Sequence, residues 1–207
     1  MRRRTVAIVD YGVGNIASLA RTLESLDYKT RLSCSVPALN DADVTILPGV
    51  GAFPTAMDAL HSRDLVGFLL ETAHAGRPMI GICLGMQLLA DSSTELRQSS
   101  GLGIIPGQVV PISRSRWHIG WNTIEVVGDD PLMRASDGQA LYFNHSYILQ
   151  APPPYQIALA RLGDGEPPLT IGVRRGQVVG LQFHPEKSQR AGHSILRNVI
   201  EGLCSAQ

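Results

Sequence analysis

Pro78-Met79-Ile80-Gly81-Ile82-Cys83-Leu84-Gly85-Met86-Gln87-Leu88-Leu89-Ala90 decides how this chain folds. The apolar run over 78–82 reads as a buried strand, and residues 85–91 read as a helix. The chain therefore turns sharply at Gly81-Ile82-Cys83-Leu84-Gly85, with Cys83 at the apex. Glycines on both sides permit a tight, strained backbone and leave room for a substrate. This is the nucleophile-elbow pattern with Cys in place of Ser. The thiol also stands at a helix N-terminus, whose positive dipole end favours thiolate. The competing reading is a buried structural cysteine after a strand, which has no need of glycine on both sides.

Upstream of the elbow, strands and helices alternate. Residues 5–10, 30–33 and 44–47 read as strands. Residues 15–26 read as a helix with Ile16, Leu19, Leu23 and Leu26 on one face, and 55–71 as a helix broken near Ser62-Arg63. Such alternation predicts a parallel sheet covered by helices on its faces. Downstream, 109–112, 123–127, 140–143, 157–162, 169–174 and 178–183 read as strands separated by turns such as Gly128-Asp129-Asp130. Residues 194–203 read as a closing helix. The expected fold class is α/β: a mostly parallel central sheet flanked by helices, with an additional antiparallel strand region.

The chain has 207 residues and a formal net charge of zero. That length suits one domain, taken as 1–207. Zero net charge argues against broad attraction to nucleic acid or to a membrane. Arg2-Arg3-Arg4 precedes an apolar run too short for a signal-peptide core, and no run reaches the roughly 18–20 apolar residues of a membrane span. The expected location is cytoplasmic. Cys34, Cys83 and Cys204 cannot all pair within the chain and show no metal-type spacing.

Two further segments carry chemistry. In Phe183-His184-Pro185-Glu186, the proline restricts His184 to extended backbone, so His184 and Glu186 project to the same side. Glu186 would then orient the imidazole while His184 takes the Cys83 proton, the nucleophile, base and orienter of a triad. The plainer reading of His184 is a histidine at a strand end. In Pro48-Gly49-Val50-Gly51, glycines beside Val50 let the peptide plane rotate and aim an N–H at a developing oxyanion, with the Leu84 N–H as second donor. The plainer reading there is a turn after a strand. Because the Val50 peptide must rotate first, the free chain is expected to be nearly inactive.

Cys83, the late His184-Pro185-Glu186 and the early Pro48-Gly49-x-Gly51, in that order on an α/β chain, resemble the class I (triad) glutamine amidotransferases across essentially the whole sequence. Within that family, several segments are similar to the glutaminase subunits of imidazole glycerol phosphate synthase. They are Asp10-Tyr11-Gly12-Val13-Gly14-Asn15, the stretch 47–53, the elbow, His118-Ile119-Gly120-Trp121-Asn122, His145-Ser146-Tyr147 and the stretch 182–188. The resemblance implies that Cys83 attacks the side-chain amide of L-glutamine and that His184 protonates the departing ammonia and then activates water. It implies that Gly49, Gly51, Gln87, Glu95, Ser146 and Tyr147 hold the substrate, Glu95 through the α-amino group and Ser146 and Tyr147 through the α-carboxylate. It implies no metal or organic cofactor. It also implies a separate (βα)8-barrel cyclase partner, met near Asn15, Trp121, Tyr142 and Lys187; such a barrel needs about 250 further residues. Ammonia would cross that interface in an enclosed path, since in water it protonates and loses its nucleophilicity. One departure is Trp117, where the family usually has proline. The alternatives are a glutaminase for another synthase, or a non-catalytic subunit that keeps the fold.

Overall fold

The computed structural model describes residues 3–112, 117–163 and 165–205. In chain order the first half runs β1 Thr5–Val9, α1 Ile16–Ser25, β2 Lys29–Ser33, α2 Val36–Asn40, β3 Val44–Leu47, α3 Phe53–His61, α4 Leu65–His74, β4 Met79–Ile82 and α5 Leu84–Leu88. The second half adds β5 Ser92–Ser93, β6 Ser99–Ser100, β7 Gln108–Pro111, β8 His118–Val126, β9 Ala140–His145, β10 Tyr147–Gln150, β11 Gln156–Ala160, β12 Leu169–Arg175, β13 Val178–Leu181 and α6 Gln189–Ser205.

Nine strands form one sheet in the order β2-β1-β3-β4-β13-β12-β11-β8-β9. The strands from β2 to β13 pair in parallel, and those from β12 to β9 pair antiparallel. A smaller sheet, β10-β7-β5-β6, packs beside it. The inner parallel strands β1, β3, β4 and β13 are buried along both faces and largely apolar because both faces are covered, whereas the edge strand β2 is polar and partly exposed. On one face Val6, Ile8, Ile46, Ile80 and Leu181 meet Leu19 and Leu23 of α1 and Leu196, Val199 and Leu203 of α6. On the other, Ala7, Val9, Leu47 and Met79 meet Phe53 and Leu60 of α3, Leu69 of α4 and Met86 of α5.

Several boundaries differ from expectation. The helix expected over 55–71 is two helices, separated at Asp64, whose φ of 54° is left-handed and ends the run. The break therefore falls at the expected place. The helix expected over 85–91 starts at Leu84 and stops at Leu88, because the chain turns there toward β5. The strand expected over 123–127 begins five residues earlier, at His118. The closing helix also starts earlier, at Gln189. The short α2, β5, β6 and β10 carried no distinct periodicity in the sequence. Residues 113–116 and Asp164, beside segments read above, lie outside the described residues. No helix among the described residues is long and apolar enough to cross a membrane.

Candidate active site

The sheet brings the elbow and the late histidine together. β4 and β13 are adjacent and parallel, with Ile82 in register with Leu181. Cys83 follows the carboxyl end of β4, and His184 follows that of β13. On the other side of β4, Leu47 of β3 pairs with Gly81 and delivers Pro48-Gly49-Val50-Gly51 to the same edge. The carboxyl ends of parallel strands are where open α/β sheets place their ligand crevices.

Cys83 sits at φ 54° and ψ −111°, a strained conformation for a non-glycine residue, and its own N–H is held by the Leu181 carbonyl at 2.8 Å. Strain of this kind costs about 1–3 kcal/mol and persists where the surroundings enforce it. The flanking glycines serve the tight backbone, as expected. A Cβ on Gly85 would collide with the Leu47 carbonyl, and one on Gly81 would lie 2.6 Å from the Gly85 carbonyl oxygen. Gly49 is fixed the same way: a Cβ there would meet Leu84 Cβ at 2.8 Å and the Gly85 nitrogen at 2.9 Å. Gly51 differs, with open space around it but φ +97°. Leu84 opens α5, so its N–H is one of the first-turn donors that lack an intrahelical acceptor. Val50 is exposed at the cavity mouth.

His184 is buried, and its Nδ1 lies 2.9 Å from Glu186 Oε1; both side chains are 3% exposed. Burial works against charge on the ring. Hydrogen bonds to Cys83 and Glu186, with the charges of both, outweigh it and raise His184 to about 9. The other oxygen, Glu186 Oε2, is buried with no hydrogen-bond partner among the described residues. Glu186 and Asn15 line a small cavity behind His184, together with residues 48–50.

In front of the thiol lies a cavity of about 290 Å³ lined by Val50, Gly51, Cys83, Leu84, Gln87, Glu95, residues 144–147, His184 and Lys187. It thus gathers most of the residues singled out for substrate. Glu95 lies between β5 and β6, and its Oε2 accepts the N–H of Phe53, the first residue of α3, at 2.8 Å. Gln87 lines the cavity, but its amide nitrogen donates to the Tyr147 carbonyl and to Gln182 Oε1, each at 3.0 Å. Only its Oε1 is left to face a ligand. Ser146 is exposed and Tyr147 half-buried at the opposite wall.

Tyr147 O also accepts from His145 Nδ1 at 2.8 Å. Since a carbonyl only accepts, His145 carries its proton on Nδ1. Its Nε2 therefore accepts from His118 Nδ1, 3.0 Å away, and His118 Nε2 accepts from Asn122 Nδ2 at 3.1 Å. Burial lowers His118 to about 4 and His145 to about 3, so both rings are neutral at pH 7. Neither histidine was assigned a role from sequence, nor was Gln182. An extended run would put Gln182, His184 and Glu186 on one side, and that alternation was the available signal. In the structure His184 is extended, and a 3-10 turn over Pro185–Lys187 brings Glu186 back to the ring.

Of the remaining expected residues, Trp121 is half exposed, stacked edge-on against Tyr142 at 6.1 Å between ring centres. Lys187 Nζ lies 5.7 Å from the centre of the Tyr142 ring and also reaches the cavity wall. Trp117 and Ile119 are exposed on the same strand face as Trp121. Asn15 is elsewhere, in the small cavity behind His184.

Known proteins similar in sequence agree with one another. Imidazole glycerol phosphate synthase subunit HisH of Bacillus cereus (strain B4264) is 41% identical, with 98% of each chain covered. The subunit of the same name from Streptococcus sanguinis is 42% identical over 94% of each chain. Among solved structures, PurLQS from Thermotoga maritima superposes with a TM-score of 0.76 at 17% identity, covering 98% of this chain and all of that one. A glutamine amidotransferase structure gives 0.74 at 19% identity, covering 97% of this chain and 98% of that one. These distant structures speak for the fold alone. The family model described as glutamine amidotransferase class-I matches residues 7–202. With the match spanning both halves of the sheet, the elbow and the late histidine, the chain belongs to the class-I glutamine amidotransferases.

Proposed function

We propose that this chain is the glutaminase subunit of an imidazole glycerol phosphate synthase, acting in histidine biosynthesis. The observation that carries the chemistry is the strained Cys83 sharing one cavity wall with His184, whose Nδ1 meets the buried Glu186 carboxylate. The Cys83 sulfur attacks the side-chain carbonyl carbon of L-glutamine. The oxyanion that forms is received by the Leu84 N–H and, once its peptide has turned, the Val50 N–H. His184 gives its proton to the departing nitrogen, and ammonia leaves a glutamyl thioester. His184, now neutral, takes a proton from water, the hydroxide attacks the thioester, and glutamate departs as the thiolate is restored. Glu186 holds the Nδ1 proton throughout.

The cavity suits the rest of the amino acid. One Glu95 oxygen is occupied by Phe53, which fixes the carboxylate and leaves the other for an α-ammonium. The Ser146-Tyr147 wall and the Lys187 charge suit the α-carboxylate. Gly49 and Gly51 act on the substrate indirectly, by fixing the oxyanion strand.

The partner is a (βα)8-barrel cyclase, forming a heterodimer in the cytoplasm, where thiols stay reduced. Exposed Trp117, Ile119 and Trp121, with half-buried Tyr142 against Trp121, form an apolar and aromatic face beside the cavity residue Lys187, the composition of a docking surface. Asn15 is placed to sense the oxyanion strand. Ammonia passes from the cavity into the barrel without meeting bulk water. The test is glutamate production by the purified chain, alone and with a barrel cyclase carrying its nucleotide ligand. Strong activation in the complex, abolished by Cys83→Ala, is the expected result. Activation by a different synthase instead would reassign the partner, and activity surviving Cys83→Ala would overturn the chemistry.

A further inference from the structure

We propose that Gln182 donates a hydrogen bond to the Cys83 sulfur and that Gln87 holds Gln182 in the orientation that makes this possible. Gln182 is fully buried, and its side-chain nitrogen lies 3.8 Å from Cys83 Sγ. An amide side chain placed the other way round would put a carbonyl oxygen against the sulfur and repel a thiolate, so the orientation decides the chemistry.

That orientation follows from a backbone carbonyl. Tyr147 O can only accept, so the Gln87 atom 3.0 Å from it is the nitrogen. The same nitrogen lies 3.0 Å from the Gln182 side chain, and its second hydrogen requires an acceptor there, Oε1. The Gln182 nitrogen is then left facing Cys83. The sulfur also meets the Asn144 carbonyl at 3.9 Å, which suits a thiol S–H and opposes a thiolate. Ionisation of Cys83 thus exchanges one partner for another: the Asn144 contact weakens and the Gln182 bond becomes charge-assisted. The titratable groups bearing on the sulfur are His184, its hydrogen-bond partner, and Tyr11, whose hydroxyl is committed to Pro48 O at 2.7 Å. Gln182 is therefore the neutral donor that complements His184 at the thiolate, and Gln87 is a positioning residue.

This rests on Cys83 being the nucleophile proposed above, but its test needs neither glutamine nor a partner. The pH dependence of iodoacetamide alkylation is followed on the Cys83 peptide by mass spectrometry, which separates it from Cys34 and Cys204. Gln182→Met removes the donor at nearly constant volume. Its alkylation midpoint is expected to rise by about one pH unit, the size of a hydrogen bond to a charged group. Gln182→Glu, which keeps the acceptor for Gln87, is expected to raise it further. Should Glu shift the midpoint and Met leave it in place, the added charge would be responsible and the proposal would fall. In the unmodified chain, the Gln182 side-chain amide protons should titrate in NMR with the alkylation midpoint; a resonance flat through that pH overturns the proposal without any variant having to fold. A chain that produces no glutamate yet shows both shifts would remove the glutaminase reading and leave the Gln182 bond standing.

Discussion

Glu186→Gln isolates what the carboxylate contributes. Glu186 Oε1 lies 2.9 Å from His184 Nδ1, with both side chains 3% exposed, so water does little to screen the pair. His184 stands at about 9 although burial alone would lower it. A hydrogen bond to a charged partner contributes about 1.5–3 kcal/mol and a neutral one about 0.5–1.5 kcal/mol. Exchanging one for the other removes about 1 kcal/mol or a little more, so the His184 midpoint should fall by roughly one pH unit. The amide cannot settle without further cost. If its oxygen stays on His184, its nitrogen takes the place of Oε2, a buried position with no hydrogen-bond partner among the described residues. An unmet buried donor there costs about 1–3 kcal/mol of stability. If it flips, its N–H groups face Nδ1, the histidine proton moves to Nε2, and the ring can no longer accept from Cys83. The turnover number should fall at least tenfold, and by up to about 10⁴-fold if the reversed tautomer dominates, as when the third member of a triad is neutralised. Glutamate release in the activated complex and NMR titration of His184 read the two effects separately. A His184 midpoint unmoved, with turnover within twofold of the parent, would refute the assigned role.

Two neighbouring glycines should respond differently. Gly49→Ala drives a Cβ into Leu84 and the Gly85 nitrogen and should cost about 1–3 kcal/mol in urea denaturation and most of the activity. Gly51→Ala meets nothing and strains only its φ of +97°, about 1–2 kcal/mol; equal effects at the two sites would contradict the packing argument. Trp121→Ala, at a half-exposed site, should leave the melting temperature of the free chain nearly unchanged while weakening cyclase binding at least tenfold by calorimetry; unchanged affinity would move the docking face elsewhere. Stability should peak near neutral pH. Below 6.5 the unfolded chain binds protons that folded His118 (about 4) and His145 (about 3) refuse, so unfolding free energy drops by about 1.4 kcal/mol per pH unit for each histidine. His184 acts with the opposite sign: its contribution is complete below 6.5 and is lost as pH climbs through about 9. Denaturation curves that coincide between pH 6.5 and 5 would argue against buried neutral histidines.

The parallel half of the sheet was legible because its inner strands are covered on both faces and read as largely apolar runs, such as Val6-Ala7-Ile8-Val9. Its helices show a clear apolar stripe over the sheet. The antiparallel half obscured itself where function intervenes. β8 begins with His118-Ile119-Gly120-Trp121-Asn122, which turns its large apolar residues outward and its polar ones inward, the reverse of an ordinary half-buried strand. Hydrophobic periodicity had no means of seeing that strand start. α2 is too short for a helical stripe, and the two-residue strands Ser92–Ser93 and Ser99–Ser100 exist through backbone pairing alone. At the site, Cys83, His184 and Glu186 stood out because motif spacing reports local geometry. Gln182 and the histidine pair did not, since their roles depend on which strands become neighbours.

That inversion on β8 ties the two proposed faces of the molecule together. Trp121 and Asn122 are adjacent, so the pleat sends the indole outward to the docking face and the amide toward His118. From Asn122 the hydrogen bonds run through His118 and His145 to Tyr147 O, and from that carbonyl through Gln87 and Gln182 to Cys83. Each donor in this series has its direction set by Tyr147 O, which accepts from both sides. No amide in the series can flip without leaving a buried group unpaired, and the histidines cannot charge without the same penalty. The network therefore holds one polarity as a unit, and the residues flanking Trp121 are bound into the same rigid arrangement that presents a donor to the nucleophile.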